Sequence, residues 1–341
     1  MKKALVTGGC GFVGSNLTAR LLEMGVDVTV LDNLSRQGAA DNLRWLQGLG
    51  PFRFISGDVR PRETLEVVVK EVQPEAIFHL AGQVAMTTSV ANPRHDFETN
   101  AVGSINLLEA VRQYCPEAVI VYASSNKVYG ELAGLELTEE ALRYTAPTHP
   151  AGINESFSLD FRTPYGCSKG TADQYMLDYA RVYGLNTIVF RHSTIYGGRQ
   201  YATFDQGWVG WFCQQALASK LQPEREPFTI AGDGKQVRDL LYIDDAVECY
   251  LGAAQNFSAA RGHAFNIGGG MENSCSLLEL FEILEGLLEM KLVYRKLPWR
   301  PHDQKFFVAD PAKANAFLRW RPSTSRLAGI EKTLAWAGQV R

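Results

Sequence analysis

Cysteine is scarce and scattered in this 341-residue chain. The six cysteines (Cys10, Cys115, Cys167, Cys213, Cys249 and Cys275) never form a Cys-x-x-Cys pair. That excludes a zinc ribbon and speaks against a disulfide framework, so reduced thiols in the cytoplasm and no metal are expected. An excess of one charge is also lacking. Lys and Arg total 34 against 37 for Asp and Glu, a net charge of −3, so no global basic field points to nucleic acid. No apolar run approaches the ~18 residues that cross a bilayer, so no membrane partner is expected. The N-terminus opens directly on Lys3-Ala4-Leu5-Val6-Thr7, with no secretory h-region or cleavage site. Repeats and low-complexity tracts are absent. What remains is an ordinary globular composition, 46% apolar and 21% charged, with length for about two domains.

The first half alternates short apolar runs with segments of helical period. Strands are expected at 4–7, 27–31, 52–55, 76–80, 118–123 and 186–190, and helices at 12–24 and 93–114. This pattern predicts βαβ crossovers and a doubly wound parallel α/β sheet of Rossmann type. After about residue 196 the pattern loosens. Strands at 228–231, 264–267 and 292–295 mix with helices at 244–255, 276–289 and 311–319. Two domains follow: 1–190 for a dinucleotide and 191–341, smaller and mixed α/β, for a substrate. The boundary is soft, with the chain expected to return to the first domain near 240–267. The polar stretch 131–163 is too long for an ordinary connection and is expected to act as a lid.

The first strand runs into Gly8-Gly9-Cys10-Gly11-Phe12-Val13-Gly14. Glycines at 8, 11 and 14 permit a tight turn and close approach of backbone to a pyrophosphate, and the free N–H groups of the following helix, at Phe12 and Val13, face the phosphates. Asp32 ends the second strand, where a carboxylate accepts from ribose hydroxyls and repels a 2′-phosphate; NAD is therefore expected over NADP. Asn33 and Arg36 lie nearby. No Gly-Lys-Ser/Thr follows, so this is not a Walker A loop. Asp58-Val59 after the third strand and Leu80-Ala81-Gly82 after the fourth fit the same cofactor, the first as a cap on the adenine amino group.

A second constellation is Tyr165-x-x-x-Lys169. On a helix these residues share one face, and an ammonium beside a phenol is expected to lower its pKa toward neutrality. Tyr165 then becomes a general acid/base for a hydroxyl being oxidised, with Lys169 also holding the nicotinamide ribose. The Ser-rich end of the fifth strand, Ser124-Ser125-Asn126-Lys127-Val128-Tyr129-Gly130, supplies a hydroxyl for the reacting oxygen.

These residues resemble the extended short-chain dehydrogenase/reductase superfamily, among its nucleotide-sugar epimerases and dehydratases. Further marks are His79 before Leu80-Ala81-Gly82, Asn100-x-x-Gly103, Arg191 with Tyr196-Gly197, Gly232-x-Gly234, Arg238-Asp239 and Asn266-x-Gly268. The resemblance implies Ser125 as the catalytic hydroxyl, four positions before Tyr129, and adds Asn100 to the cofactor contacts. Longer strings (83–89, 125–130, 163–179, 196–211) narrow it to the branch that epimerises CDP-linked deoxyhexoses at C2, through transient oxidation to a 2-keto sugar and hydride return from a held NAD. A 4-epimerase would keep the same catalytic set. Dehydratases of the superfamily carry carboxylates just after the catalytic Ser/Thr; Asn126 and Lys127 stand there, which disfavours elimination and decarboxylation. A non-catalytic NAD-binding regulator would be expected to lose Tyr165 or Lys169. Arg238 and then Arg300 are the candidate cations for the nucleotide diphosphate. Gln83, Thr87, Thr88, Asn126, His192 and Gln206 are candidate sugar contacts. Trp208 and Trp211, three apart on one helical face, read as packing residues. Relatives pair through helices corresponding to 93–114 and 165–183, so a homo-oligomer, dimer or tetramer, is expected.

Overall fold

The computed structural model describes residues 1–300 and 302–340. Its centre is a seven-stranded sheet of β1 (Lys3–Thr7), β2 (Asp27–Asp32), β3 (Arg53–Ser56), β4 (Ala76–His79), β5 (Val119–Ser125), β8 (Asn186–His192) and β12 (Ala264–Ile267). They lie in the order β3-β2-β1-β4-β5-β8-β12, with every pair parallel. Successive side chains of a strand face opposite sides of a sheet. Accordingly Ala4, Val6, Val28, Val30, Phe78 and Val121 pack in one buried cluster, while Leu5, Leu31, Ile77 and Ile120 pack in another. With both faces covered, the strands read as nearly continuous apolar runs. The chain winds one way from β1 to β3 and the other way from β4, so a crevice opens beyond the strand ends at β1 and β4.

The expected helix 93–114 is not one helix. Asn92 caps Pro93–Phe97, a π-turn covers Glu98–Val102, and Gly103–Tyr114 follows. Gly103, where the α-helix resumes, packs closely: a Cβ there would lie 2.6 Å from the Val59 side chain. Thr163–Tyr183, in contrast, is one uninterrupted helix, with proline in its first turn and Gly184 ending it in the left-handed region (φ 73°).

The second lobe holds β9 (Thr194–Tyr196), β11 (Val237–Tyr242), β13 (Ser274–Ser276) and β15 (Phe306–Phe307) in one small sheet. A parallel pair, β10 (Phe228–Ala231) with β14 (Tyr294–Leu297), lies beside it. The helix Leu277–Leu288 begins with a capping box between Ser276 and Glu279. The helix Ile243–Gln255 packs on the first helix, Phe12–Glu23, and leads back to β12 at the sheet edge. We therefore propose that the first lobe comprises 1–192 together with 243–267.

The stretch 131–163 does not form a lid. It makes a small hairpin, β6 (Thr138–Glu139) with β7 (Tyr144–Thr145), and then packs against the C-terminal segment. Ile153 donates its N–H to Val308 at 2.7 Å and is buried with Val128, Tyr129, Phe307 and Ala309. Of its residues only Thr163 lines a cavity described below. Its apolar residues are satisfied by this packing, which length and polarity do not reveal. No described helix is long and apolar enough to cross a membrane.

Candidate active site

The glycine turn is built by close backbone contact. Gly8 has φ +72°, and a Cβ there would lie 2.6 Å from the Ala81 nitrogen; on Gly14 it would lie 2.1 Å from the Gly8 oxygen. The helix Phe12–Glu23 starts at Gly11 with no side-chain cap, so its first N–H groups stay available. They border a cavity of about 550 Å³ that extends along Asp32, Asn33, Arg36, Asp58, Val59, Leu80, Ala81 and Gly82 to Ser125, Tyr165 and Lys169. Asp32 accepts from the N–H of Cys10 (2.9 Å) and of Leu34 (2.7 Å), while burial raises its pKa. Asp58 accepts from Asn33 and Arg60, and these bonds bring its pKa down to about 2 despite partial burial. Asn100 lies behind this wall. It is buried, accepts from the Gln83 N–H at 2.9 Å and donates to Gln83 O and to Ser168, so it shapes the turn without lining the cavity.

A second cavity of about 730 Å³ lies under the second lobe, and the two share Val84, Ser125, Tyr165, Ser193, Thr194, Gln206, Gly207 and Trp208. Ser125 ends β5, and Tyr165 stands in the first turn of the Thr163–Tyr183 helix. Lys169, one turn further, donates to Ala123 O at 2.8 Å and lies 5.0 Å from the Tyr122 ring centroid. Burial lowers its pKa to about 8. Lys169 is not among the groups that shift the Tyr165 phenol: burial pushes it up to about 12, opposed by the Ser125 side chain and reinforced by Asp96.

Beneath Ser125 lies a buried network. Asp173 takes two bonds from Arg191 (2.8 and 2.9 Å) and one from Ser124 (2.7 Å). Arg191 also donates to Tyr129, whose hydroxyl donates to Asn266. A paired, fully bonded buried charge holds its elements in one geometry, here β5, β8, β12 and the Tyr165 helix.

The second cavity carries the cations. Arg238 approaches Asp303 at 2.9 Å and Lys127 approaches the same oxygen at 3.4 Å. The two cations hold the Asp303 pKa below the ordinary range, while burial brings Lys127 down to about 8. Arg300 sits at the rim, bonded to Phe204 O and 4.7 Å from its ring centroid. Asn126 donates to Gln304 at 3.0 Å. Thr87 donates to Asp205 at 2.6 Å, a carboxylate that sequence reasoning missed. Its only signal was a polar turn before Gly207, which has φ +76°.

Several expected sugar contacts fall elsewhere. Gln83, Thr88 and His192 line the cofactor cavity and not the second one. The Gln83 amide turns to Ala85 O at 2.7 Å. His192 shares a 2.8 Å bond with Tyr250, and burial lowers its pKa to about 3, so it is neutral. Trp208 and Trp211, expected only to pack, line the second cavity, and Trp208 borders both. Among the described residues no cluster of His, Cys, Asp and Glu could hold a metal ion.

A side-chain-free glycine turn, uncapped helix N–H groups and an acidic residue at the second strand end fit a dinucleotide. The profile of the NAD dependent epimerase/dehydratase family matches residues 4–268. The chain belongs to this family. Its cofactor is NAD. A CDP-paratose 2-epimerase of Salmonella typhi is 53% identical over 99% of this chain and 100% of its own length. Among solved structures, the UDP-glucose 4-epimerase of Thermotoga maritima with UDP-glucose superposes with a TM-score of 0.83, 30% identity and 99% of each chain covered. The Thermus thermophilus UDP-glucose 4-epimerase in complex with NAD gives a TM-score of 0.81, 29% identity, and 99% and 100% coverage.

Proposed function

We propose that the chain converts CDP-paratose to its C2 epimer, CDP-tyvelose. One observation carries the catalytic reading: a cofactor cavity and a cation-bearing cavity meet at Ser125 and Tyr165. The 53% identity to a CDP-paratose 2-epimerase supports the substrate. The residues after Ser125 point away from elimination, because Asn126 and Lys127 offer no carboxylate base beside it.

When bound, NAD accepts a hydride and returns it, and its positive nicotinamide ring would favour the Tyr165 phenolate. The remaining work falls to side chains. Tyr165 takes the proton of the sugar hydroxyl as that carbon is oxidised and gives it back after the sugar has turned its other face. A single acid/base serves both faces only if the reacting oxygen stays beside it, and Ser125 holds that oxygen by a hydrogen bond. Lys169, with one N–H given to Ala123 O and two further N–H donors, holds a ribose hydroxyl. Arg238, Lys127 and Arg300 take the nucleotide diphosphate, with Asp303 fixing the first two beforehand. Thr87, Asn126 and Gln206 face the sugar. Apolar walls of Trp208, Trp211 and Phe212 line the space in which the keto sugar turns.

We also propose that the chain pairs through the helices at 93–114 and 163–183. Phe97, Tyr175, Val182 and Tyr183 expose large apolar area there. Product NMR tests the function. CDP-paratose should give CDP-tyvelose while UDP-glucose stays unchanged. Formation of UDP-galactose with CDP-paratose untouched would move the reaction to C4.

A further inference from the structure

Arg199 is a cation that the chemistry above does not use. It belongs to the turn after β9, in the second lobe, yet it lines the cofactor cavity. Three anchors bring it there. Asn42 donates to the Arg199 carbonyl at 3.3 Å and to the Cys10 carbonyl at 3.1 Å. Asn16, in the first helix, donates to the Gly198 carbonyl at 3.1 Å. The Tyr201 ring fills the space over Gly38, where a Cβ would lie 2.1 Å from it. Arg199 itself has φ +67°, a left-handed conformation that a non-glycine residue keeps only when its surroundings impose it.

The guanidinium lies between two indole rings, 4.0 Å from the Trp45 centroid and 4.8 Å from that of Trp336. Trp45 comes from the first lobe and Trp336 from the last helix, so the clamp spans both. Among the described residues Arg199 has no carboxylate partner: burial lowers its pKa and the neighbouring Tyr201 opposes that shift. Ring stacking covers guanidinium faces, whereas its N–H donors lie in the plane and remain largely unpaired. A half-buried cation held against two rings, with no carboxylate partner and at a cavity wall, suits an anion.

We propose that Arg199 is a latch on the dinucleotide: its guanidinium holds the diphosphate of NAD from the second lobe and prevents the cofactor from leaving between the two hydride transfers. Its tethers run to Cys10 and Asn16, in and just after the glycine turn, where the uncapped N–H groups of Phe12 and Val13 lie. Those N–H groups and Arg199 line the same cavity, so the guanidinium and the helix start can face one diphosphate from the two lobes. The inference rests on the epimerase reading only in that a cofactor reduced and reoxidised within one turnover must stay.

The test compares wild type with Arg199→Gln and Arg199→Lys for NAD content after purification and for the rate of NAD loss into cofactor-free buffer. Arg199→Gln should lose NAD roughly 10- to 100-fold faster, the range for one charge-assisted contact. Added NAD should restore its turnover, so KM for NAD rises while kcat returns. Arg199→Lys, which keeps the charge and lacks the fork, should fall between, and it carries the comparison should Arg199→Gln fail to fold. Raising salt should hasten NAD loss from wild type far more than from Arg199→Gln. Retention equal to wild type, or turnover that added NAD does not restore, overturns the latch. A change confined to NADP affinity overturns the diphosphate assignment. Wild type that converts CDP-paratose yet retains no NAD overturns the latch and leaves the epimerase reading; wild type that retains NAD without converting the sugar does the reverse.

Discussion

The two cavities that meet at Tyr165 are made of different material. The cofactor side is walled near the phosphates by backbone: Gly8 against Ala81, Gly14 against Gly8, and helix N–H groups with no cap. The second cavity is walled by long side chains from distant segments, such as Lys127, Arg238, Arg300 and Trp208. A backbone cradle suits a ligand that is always the same, because it fixes phosphates by geometry and offers nothing to vary. A cavity of side chains can be retuned residue by residue, which suits the part of the reaction that differs between relatives acting on different sugars. Only Ser125, Tyr165 and a few neighbours belong to both, and there the chemistry must be common to the family.

The sharpest break in this comparison is at Tyr165 itself. Tyr165→Phe should lower turnover by roughly 10²–10⁴-fold, the usual contribution of a positioned acid/base, while bound NAD measured by absorbance stays at the wild-type level. Loss of NAD together with activity would make Tyr165 a wall residue. Arg238→Gln should act on the second cavity alone, raising KM for the nucleotide sugar about 10- to 100-fold with a smaller change in kcat, since a diphosphate contact persists through the reaction. Steady-state kinetics at saturating NAD separate the two. A finer test uses neighbours on one short helix. Thr87 lines the second cavity and Thr88 the first. Thr87→Ala should raise the sugar KM several-fold, about what one lost hydrogen bond costs, whereas Thr88→Ala should leave it in place and shift only NAD affinity. Equal effects from both would erase the partition.

The smallest effect concerns Asp239, which lines neither cavity. Its carboxyl is fully buried, accepts from the Gly270 N–H at 3.2 Å and crowds Gly268, and burial raises its pKa from 3.8 to about 6. Folding therefore favours its protonated form. The stability this lends is present below pH 3.8 and is lost as pH rises through 6. Asp239→Asn should melt higher relative to wild type at pH 8 than at pH 4.5, by at most on the order of 2–3 kcal/mol. A difference independent of pH would mean that Asp239 stays charged when folded.

The sheet and its glycine turn could be read from the sequence because each depends on local pattern. Strand 4–7 is apolar up to Thr7 since both sheet faces are covered, and Gly8, Gly11 and Gly14 are required at fixed offsets by one turn. Tyr165 and Lys169 were legible for the same reason, as two residues one helical turn apart. The second cavity was harder. Arg238 and Asp303 meet across 65 positions, and Asp205 reaches Thr87 across 118; no local spacing encodes such pairs. His192 and Thr88 were placed with the sugar by sequence neighbourhood, but strand alternation and helix phase turn adjacent residues toward different spaces. Segment 131–163 looked like a lid because it is long and polar, although Ile153 and the adjoining Tyr129 bury it against Phe307. The Tyr165 phenol shows the same limit for electrostatics: helical spacing names an ammonium one turn away, whereas the burial that raises the phenol depends on distant segments.

The central claim is that a held NAD would oxidise and reduce the same carbon while one acid/base moves the hydroxyl proton, with the hydride never exchanging with water. Conversion of CDP-paratose in D2O, read by NMR of the product, tests this most directly. Protium retained at C2 of CDP-tyvelose is the predicted result. Deuterium at C2 would show proton abstraction from carbon and contradict the account even with the product correct.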